Sequence, residues 1–110
     1  MIVAELKLYD EIKSYLEGCS SVLVAGCGSC TSICHSGGLR ETESVASWLR
    51  SDTGMKVRSI IIERQCDNEF VAEIEHVLSG VDAVLSLGCG AGVQMIAEMY
   101  QGIRVYPGLN

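Results

Sequence analysis

The sequence predicts a single α/β domain, a three-layer sandwich built on a four-stranded, mostly parallel sheet. Helical and strand-like apolar patterns alternate along the chain, and the strand-like runs are short, continuous and rich in β-branched residues. No linker or low-complexity segment interrupts this alternation. A chain of 110 residues with 48% hydrophobic residues is long enough to bury one aliphatic core. We therefore predict one cysteine-rich domain over residues 1–110.

The first half of the chain predicts a helix, a strand, a second helix and a second strand. The apolar residues of the first helix recur at helical spacing: Leu6, Tyr9, Ile12 and Leu16. Gly18 follows as a C-terminal stop, and residues 22–26 form a continuous apolar run typical of a buried parallel strand. The second helix has one apolar face: Thr42, Val45, Ala46 and Leu49. The second strand is "KVRSIIIER", ending near Glu63.

The second half continues the alternation. Asp67 is predicted to cap a third helix, which Gly80 ends. The apolar face of that helix comprises Phe70, Val71, Ile74, Val77 and Leu78. "VDAVLSL" is the third strand, and "IRVY" is a short fourth strand closed by Pro107. Between them lies a fourth helix with an apolar face of Val93, Ile96, Ala97 and Tyr100. We expect Trp48 in the core or an interface, and His76 on a solvated face.

The cysteines follow the predicted strands. Three of the six stand after strands one, two and three: Cys27, Cys66 and Cys89. With the strand order 2-1-3-4 of a Rossmann or flavodoxin-like sheet, these strand ends are neighbours, about 4.8 Å apart per strand. Cys30 and Cys34 lie in the loop after the first strand. Five cysteines are thus predicted to converge on one edge, whereas Cys19 lies at the opposite edge as a buried or half-buried thiol.

Such a convergence of thiols predicts a metal site. The spacing C-x2-C-x3-C plus a remote cysteine suits a [4Fe–4S] cluster held by Cys27, Cys30 and Cys34 with Cys66 or Cys89. Zinc accepts the same thiolates, commonly through C-x2-C pairs, and is the alternative. A third hypothesis is that the thiols are free or form disulfides, and that the protein is a thiol enzyme in which Cys66 or Cys89 reacts. We predict that His35, beside Cys34, is an exposed loop residue.

The surroundings of the cysteines favour bound thiolates. Four glycines let the backbone turn sharply and expose N–H groups toward sulfur: Gly26, Gly28, Gly88 and Gly90. Arg64 adds a fixed positive charge near Cys66, and helix N-termini add partial ones. "VLVAGCGSC" and "VLSLGCGAG" repeat a strand followed by a Gly-Cys-Gly turn, which predicts one turn geometry used twice. Neither turn completes the G-x-G-x-x-G pattern of a nucleotide site.

Charge and hydropathy exclude several classes of function. A net charge of −6 argues against nucleic-acid binding. The chain does not open with a basic segment followed by an apolar one, so we expect no signal peptide. Its most apolar long window, residues 81–100, contains Asp82 and Glu98, so no membrane span is expected. We expect a cytoplasmic protein. Six cysteines in that compartment indicate metal or redox chemistry rather than a disulfide framework.

Four stretches, in this order, suggest a family: "VLVAGCGSCTSICHSGG", "ERQCD", "VLSLGCGAGVQ" and "YPGLN". Together they resemble the C-terminal domain associated with methylenetetrahydrofolate reductase, which also occurs as a small partner subunit of the reductase flavoprotein. The resemblance is strongest over residues 22–110.

The family's cysteine positions match the five clustered cysteines, and the match implies an iron–sulfur domain of one-carbon metabolism. Its expected partner is the methylenetetrahydrofolate reductase flavoprotein or another redox protein. The chain carries no flavin barrel, the part that reduces folate in that family. We therefore expect an electron-transfer or accessory module rather than the catalyst. The alternative is a zinc-stabilised domain that docks onto the flavoprotein without redox work.

Overall fold

The computed structural model describes residues 9–27, 39–62, 71–78, 80–88 and 90–108. Within these ranges the chain forms three α-helices, one 3-10 helix and four strands. Their order is α1 (Tyr9–Tyr15), β1 (Ser21–Cys27), α2 (Leu39–Thr53), β2 (Lys56–Ile62), the 3-10 helix η1 (Ala72–Val77), β3 (Ala83–Ser86), α3 (Gly90–Met99) and β4 (Arg104–Pro107). Helices and strands alternate, so the predicted α/β class is confirmed.

The four strands form one sheet in the order β2-β1-β3-β4, and every neighbouring pair is parallel. Cys27 stands opposite Ile62 of β2, and Ala25 stands opposite Ser86 of β3. This is the order 2-1-3-4 that adjacent ends of the first three strands require. Because the strands are parallel and β1 is central, the carboxyl ends of β1, β2 and β3 are neighbours at one edge of the sheet.

Side chains of β1 alternate between two hydrophobic cores, one on each face of the sheet. Val22 and Val24 pack with the apolar residues of α1 and α2 on one face. Leu23 and Ala25 pack with those of η1 and α3 on the other face. The alternation follows from the two-residue period of a strand. Both faces are covered by helices, which confirms the three-layer sandwich and explains why β1 reads as a continuous apolar run.

The predicted helix boundaries fall at glycines. Gly18, three residues after α1, has a φ of 88°, and Gly54, directly after α2, has a φ of 71°. Non-glycine residues seldom adopt this left-handed conformation, so glycine is suited to ending a helix there. The predicted stop at Gly18 is confirmed.

Three details of the helices differ from the sequence-based expectation. The third helix appears over residues 72–77 as a 3-10 helix, whose three-residue turn matches the spacing of Val71, Ile74 and Val77. Its predicted cap Asp67 and Phe70 lie outside the described residues. Trp48, predicted in the core or an interface, is 45% exposed and so not in the core, because it flanks the buried face of α2; its ring meets Tyr9 edge-on, with centroids 5.4 Å apart, and its place in an interface stays a prediction.

The third difference concerns α3. Its contact with the sheet centres on Ile96, which is fully buried, while Met95 and Tyr100 pack beside it. Ala97, predicted on the apolar face, is exposed. On a helix each residue advances by about 100°, so a helix whose buried stripe centres on Ile96 turns the next residue away from the sheet. His76 is exposed, as predicted.

The outer edge of β2 is protected by charge. Arg50 of α2 donates two hydrogen bonds to the carbonyl oxygen of Val57, from Nε at 3.2 Å and Nη2 at 2.8 Å. Lys56 and Arg58 are exposed on the same strand. Charged residues on an edge strand discourage pairing with another chain. No helix among the residues that the structure describes is long and apolar enough to cross a membrane.

Asp52 ties α1 to α2. Its Oδ2 accepts hydrogen bonds from Lys13 Nζ and from the Tyr9 hydroxyl, both at 2.9 Å. The bonds from Lys13 and then Tyr9 lower the pKa of Asp52 below its ordinary value of 3.8. The bond to Asp52 raises the pKa of Lys13. Because folding lowers the pKa of Asp52, the ionised carboxylate stabilises the folded protein at pH values above the pKa of Asp52 in the unfolded chain. This stabilisation is lost as the pH falls through the pKa of Asp52 in the folded protein.

Replacing Asp52 by asparagine is therefore expected to cause a small decrease in melting temperature at neutral pH. The effect is small because both partners of the ion pair are about half exposed, 48% and 49%. The difference from wild type should shrink as the pH is lowered below the usual carboxyl range. Melting curves across pH test this, with Glu43→Gln, an exposed carboxylate in the same helix, as control. A difference that persists in acid would contradict this assignment.

Candidate metal centre

The carboxyl edge of the sheet is where a ligand site is expected in an open parallel sheet. Cys27 lies at this edge as the last residue of β1, and it is 4% exposed. The sequence places Cys27 just after the strand, whereas the pairing with Ile62 continues through it. The backbone of Cys27 is thus held by regular strand pairing.

The structure describes four of the predicted site residues. They are Gly26 and Cys27 at the end of β1, Gly88 just after β3, and Gly90 at the start of α3. Gly26 and Gly88 are buried. The other predicted site residues, and His35, lie outside the described residues: Gly28, Cys30, Cys34, Arg64, Cys66 and Cys89. Their convergence stays a prediction.

The sheet topology nonetheless fixes where the segments that follow β2 and β3 begin. Cys66 is the fourth residue after Ile62, the end of β2, and Cys89 is the third after Ser86, the end of β3. Each strand end neighbours the end of β1, where Cys27 stands. Strands in a sheet are about 4.8 Å apart, and three or four residues span up to about 10–14 Å. The strand ends that precede Cys66 and Cys89 in the sequence are therefore neighbours of the strand that ends at Cys27.

The chain leaving β3 is held firmly before it reaches Cys89. Leu87 N–H donates to the carbonyl oxygen of Ala25 at 2.8 Å, which extends the pairing with β1 by one residue. Gly88 N–H donates to Ser86 Oγ at 3.2 Å. Gly108 N–H donates to the Ser86 carbonyl oxygen at 2.8 Å. The side chain of Ser86 is fully buried, so this segment is tied to both neighbouring strands.

Sequence reasoning missed Ser86 and Gly108. A serine two residues before a glycine is a signal for a hydroxyl that accepts a backbone N–H, and it could have indicated Ser86. Gly108 belongs to the "YPGLN" stretch, but its partner on β3 is 22 positions earlier in the chain. No local pattern reveals such a contact.

The donors that the sequence predicts for this edge are thiolates, which suit a thiophilic metal centre. Cys27 offers a shielded sulfur, and cysteines follow along the chain beyond all three strand ends. Of the five predicted ligands, Cys27 alone belongs to the described ranges. Within those ranges, no group of three or more His, Cys, Asp or Glu side chains is placed to hold a metal ion. The four cysteines that would complete the site fall in the remaining segments.

The opposite edge of the sheet holds a different feature. Cys19 is half-buried against the first core, as predicted, and lines an open crevice of about 460 Å³ beside the end of α1. Asp10, Lys13 and Glu17 also line this crevice. It lies at the end of the sheet away from Cys27, and it offers one thiol among side chains of mixed charge. A site of several thiolates stays a prediction for the carboxyl edge.

Comparison with protein-family models, with characterised proteins and with solved structures found no match. The resemblance to the methylenetetrahydrofolate reductase C-terminal domain therefore rests on the four sequence stretches quoted above. The family and its functional residues remain predictions for this chain.

Proposed function

We propose that this protein is an accessory or electron-transfer domain that binds one [4Fe–4S] cluster. Its ligands are Cys27, Cys30 and Cys34, with Cys66 or Cys89 as the fourth. The observation that carries the proposal is the all-parallel strand order β2-β1-β3-β4. This order makes neighbours of the three strand ends from which the cysteine-bearing segments depart.

Residues of this chain shape the site in two ways. Cys27 is nearly excluded from solvent at the end of a central strand, which shields its sulfur from water and competing thiols. The fixed backbone from Ser86 to Gly88 leads to Cys89 from the neighbouring strand. A bound cluster supplies one-electron transfer, with a potential tuned by hydrogen bonds, charge and solvent exposure.

The proposed partner is a flavoprotein of the methylenetetrahydrofolate reductase type, or another redox protein. The motif resemblance supports this choice. The described residues form a single parallel sheet with helices on both faces. In this proposal the partner supplies the flavin and the folate chemistry, and the present chain supplies the metal centre.

Metal analysis of protein purified without oxygen tests the proposal. We expect a brown protein with about four iron and four sulfide per chain, whose visible absorption bleaches on reduction. A colourless protein with one zinc per chain would refute the iron–sulfur assignment and support the zinc alternative, in which chelation unfolds the domain. Protein that contains neither metal after anaerobic isolation and reconstitution would refute both.

A further inference from the structure

A groove between α2 and the outer strand β2 is lined by polar and charged side chains. Four of its lining residues recur every three or four positions along α2, and so lie on one stripe of the helix: Arg40, Ser44, Ser47 and Arg50. Ser59 of β2 also lines this groove, whose volume is about 790 Å³. Arg50 lines in addition a second crevice of about 500 Å³, together with Lys56 and Arg58 of β2. We call the groove and this crevice together the basic groove.

The basic groove concentrates positive charge on an acidic protein. One of the chain's fourteen Asp and Glu residues lines it, Glu43. Half of the chain's eight Lys and Arg residues line it: Arg40, Arg50, Lys56 and Arg58. All four cations are exposed. Among the residues that the structure describes, none of the four forms an ion pair with a carboxylate, so the described part of the chain leaves this charge without a paired anion.

We propose that the basic groove binds an acidic segment of a partner protein through the carboxylates of that segment. Arg40 and Arg50 are ten residues apart in α2, which is about 15 Å along the helix axis. The Arg50 guanidinium is held in place by its two hydrogen bonds to the Val57 carbonyl oxygen. The cations are therefore distributed along the groove, which suits an occupant with several carboxylates better than one small anion.

Two other features of the molecule favour this occupant. A nucleic acid carries a dense phosphate charge along its whole length, which the net charge of −6 opposes, whereas an acidic protein segment places its charge at the groove. Recognition uses side chains rather than strand pairing, because Arg50 already occupies the Val57 carbonyl oxygen at the edge of β2. Complementary charge of this kind orients a partner and speeds its association. The proposal is independent of the metal centre.

Fluorescence anisotropy with the full chain, purified without oxygen, tests the proposal. The probe is a labelled peptide of about eight glutamates, which spans up to about 26 Å when extended. We expect saturable binding that weakens as salt is added, because salt screens exposed charges. Arg40→Gln and Arg58→Gln should each weaken binding about two- to five-fold, the range for one exposed ion pair. Both side chains are exposed, so both variants should keep the circular dichroism spectrum of wild type.

Arg104→Gln is the matched control. It removes the same charge from an exposed arginine of β4, at the opposite side of the sheet from β2, and should bind the peptide as wild type does. Equal weakening in all three variants would show that binding follows total charge alone, and it would overturn the proposal. Wild-type protein that binds the peptide without saturation, or not at all, would overturn it as well.

The same variants identify any other occupant of the basic groove. A thymidine oligonucleotide that binds more tightly than the peptide, and that depends on Arg40 and Arg58, would assign the groove to nucleic acid. Inorganic phosphate that displaces the peptide better than chloride at equal ionic strength would assign it to a small anion. Self-association of wild type in light scattering that Arg40→Gln and Arg58→Gln abolish would assign it to a second copy of the chain. Each of these three results would overturn the proposal.

Discussion

Under the proposed function, Cys27→Ser is expected to lose the bound metal. Serine preserves the size of the side chain at the end of β1 but removes the sulfur donor. Deleting a ligand should cost at least the 10- to 100-fold in affinity that deleting a supporting partner costs. Iron, sulfide and zinc contents per chain, measured after anaerobic purification, check this.

Cys19→Ser is the matched control for that experiment. It makes the same chemical change at a half-buried thiol on the opposite edge of the sheet, so its metal content should equal that of wild type. Equal metal content in Cys27→Ser and wild type would remove Cys27 from the ligand set. Circular dichroism of both variants distinguishes loss of metal from loss of fold.

The second large effect is expected in the core. Leu23→Ala should lower the free energy of unfolding by about 2–5 kcal/mol, through lost burial and the cavity left behind. Leu23 lies on the central strand β1, is 1% exposed, and packs against side chains from η1 and α3. Denaturant unfolding, followed at one fixed metal content, measures the change.

Met99→Ala serves as the control for the core variant. Met99 ends α3 and is 36% exposed, so its truncation should change stability by less than about 0.5 kcal/mol. A loss of less than about 1 kcal/mol in Leu23→Ala would fall below the range for a buried leucine, and it would contradict the two-core packing described above.

Local sequence patterns are sufficient to predict the helices and strands of this chain. Apolar runs such as residues 22–26 predict buried strands, because a strand that is covered on both faces carries apolar side chains on both sides. The helical stripes through Ile12 and Val45 predict which faces are buried, and Gly18 predicts a helix end. These features depend on neighbours a few residues away, so they can be read without knowing the rest of the fold.

Finer geometry depends on partners far along the chain. The repeated "GCG" stretches predict one shared turn geometry, which stays a prediction because Gly28 and Cys89 lie outside the described residues; the strands before them end differently, since β1 continues through Cys27 while β3 ends at Ser86. The two stretches therefore leave their strands at different points. The reason is pairing: Cys27 has a partner in β2, whereas Leu87 extends the pairing of β3 with β1 by a single hydrogen bond.

For this protein, composition and periodicity alone determine an α/β domain whose cysteines follow its strands, since both are properties of local sequence. Tertiary structure alone decides that Trp48 is exposed, that Arg50 caps the edge of β2, and that the Gly108 N–H bonds to the Ser86 carbonyl oxygen. Those outcomes arise from packing between segments that are distant along the chain. Such packing produces no periodic pattern in the sequence from which it could be predicted.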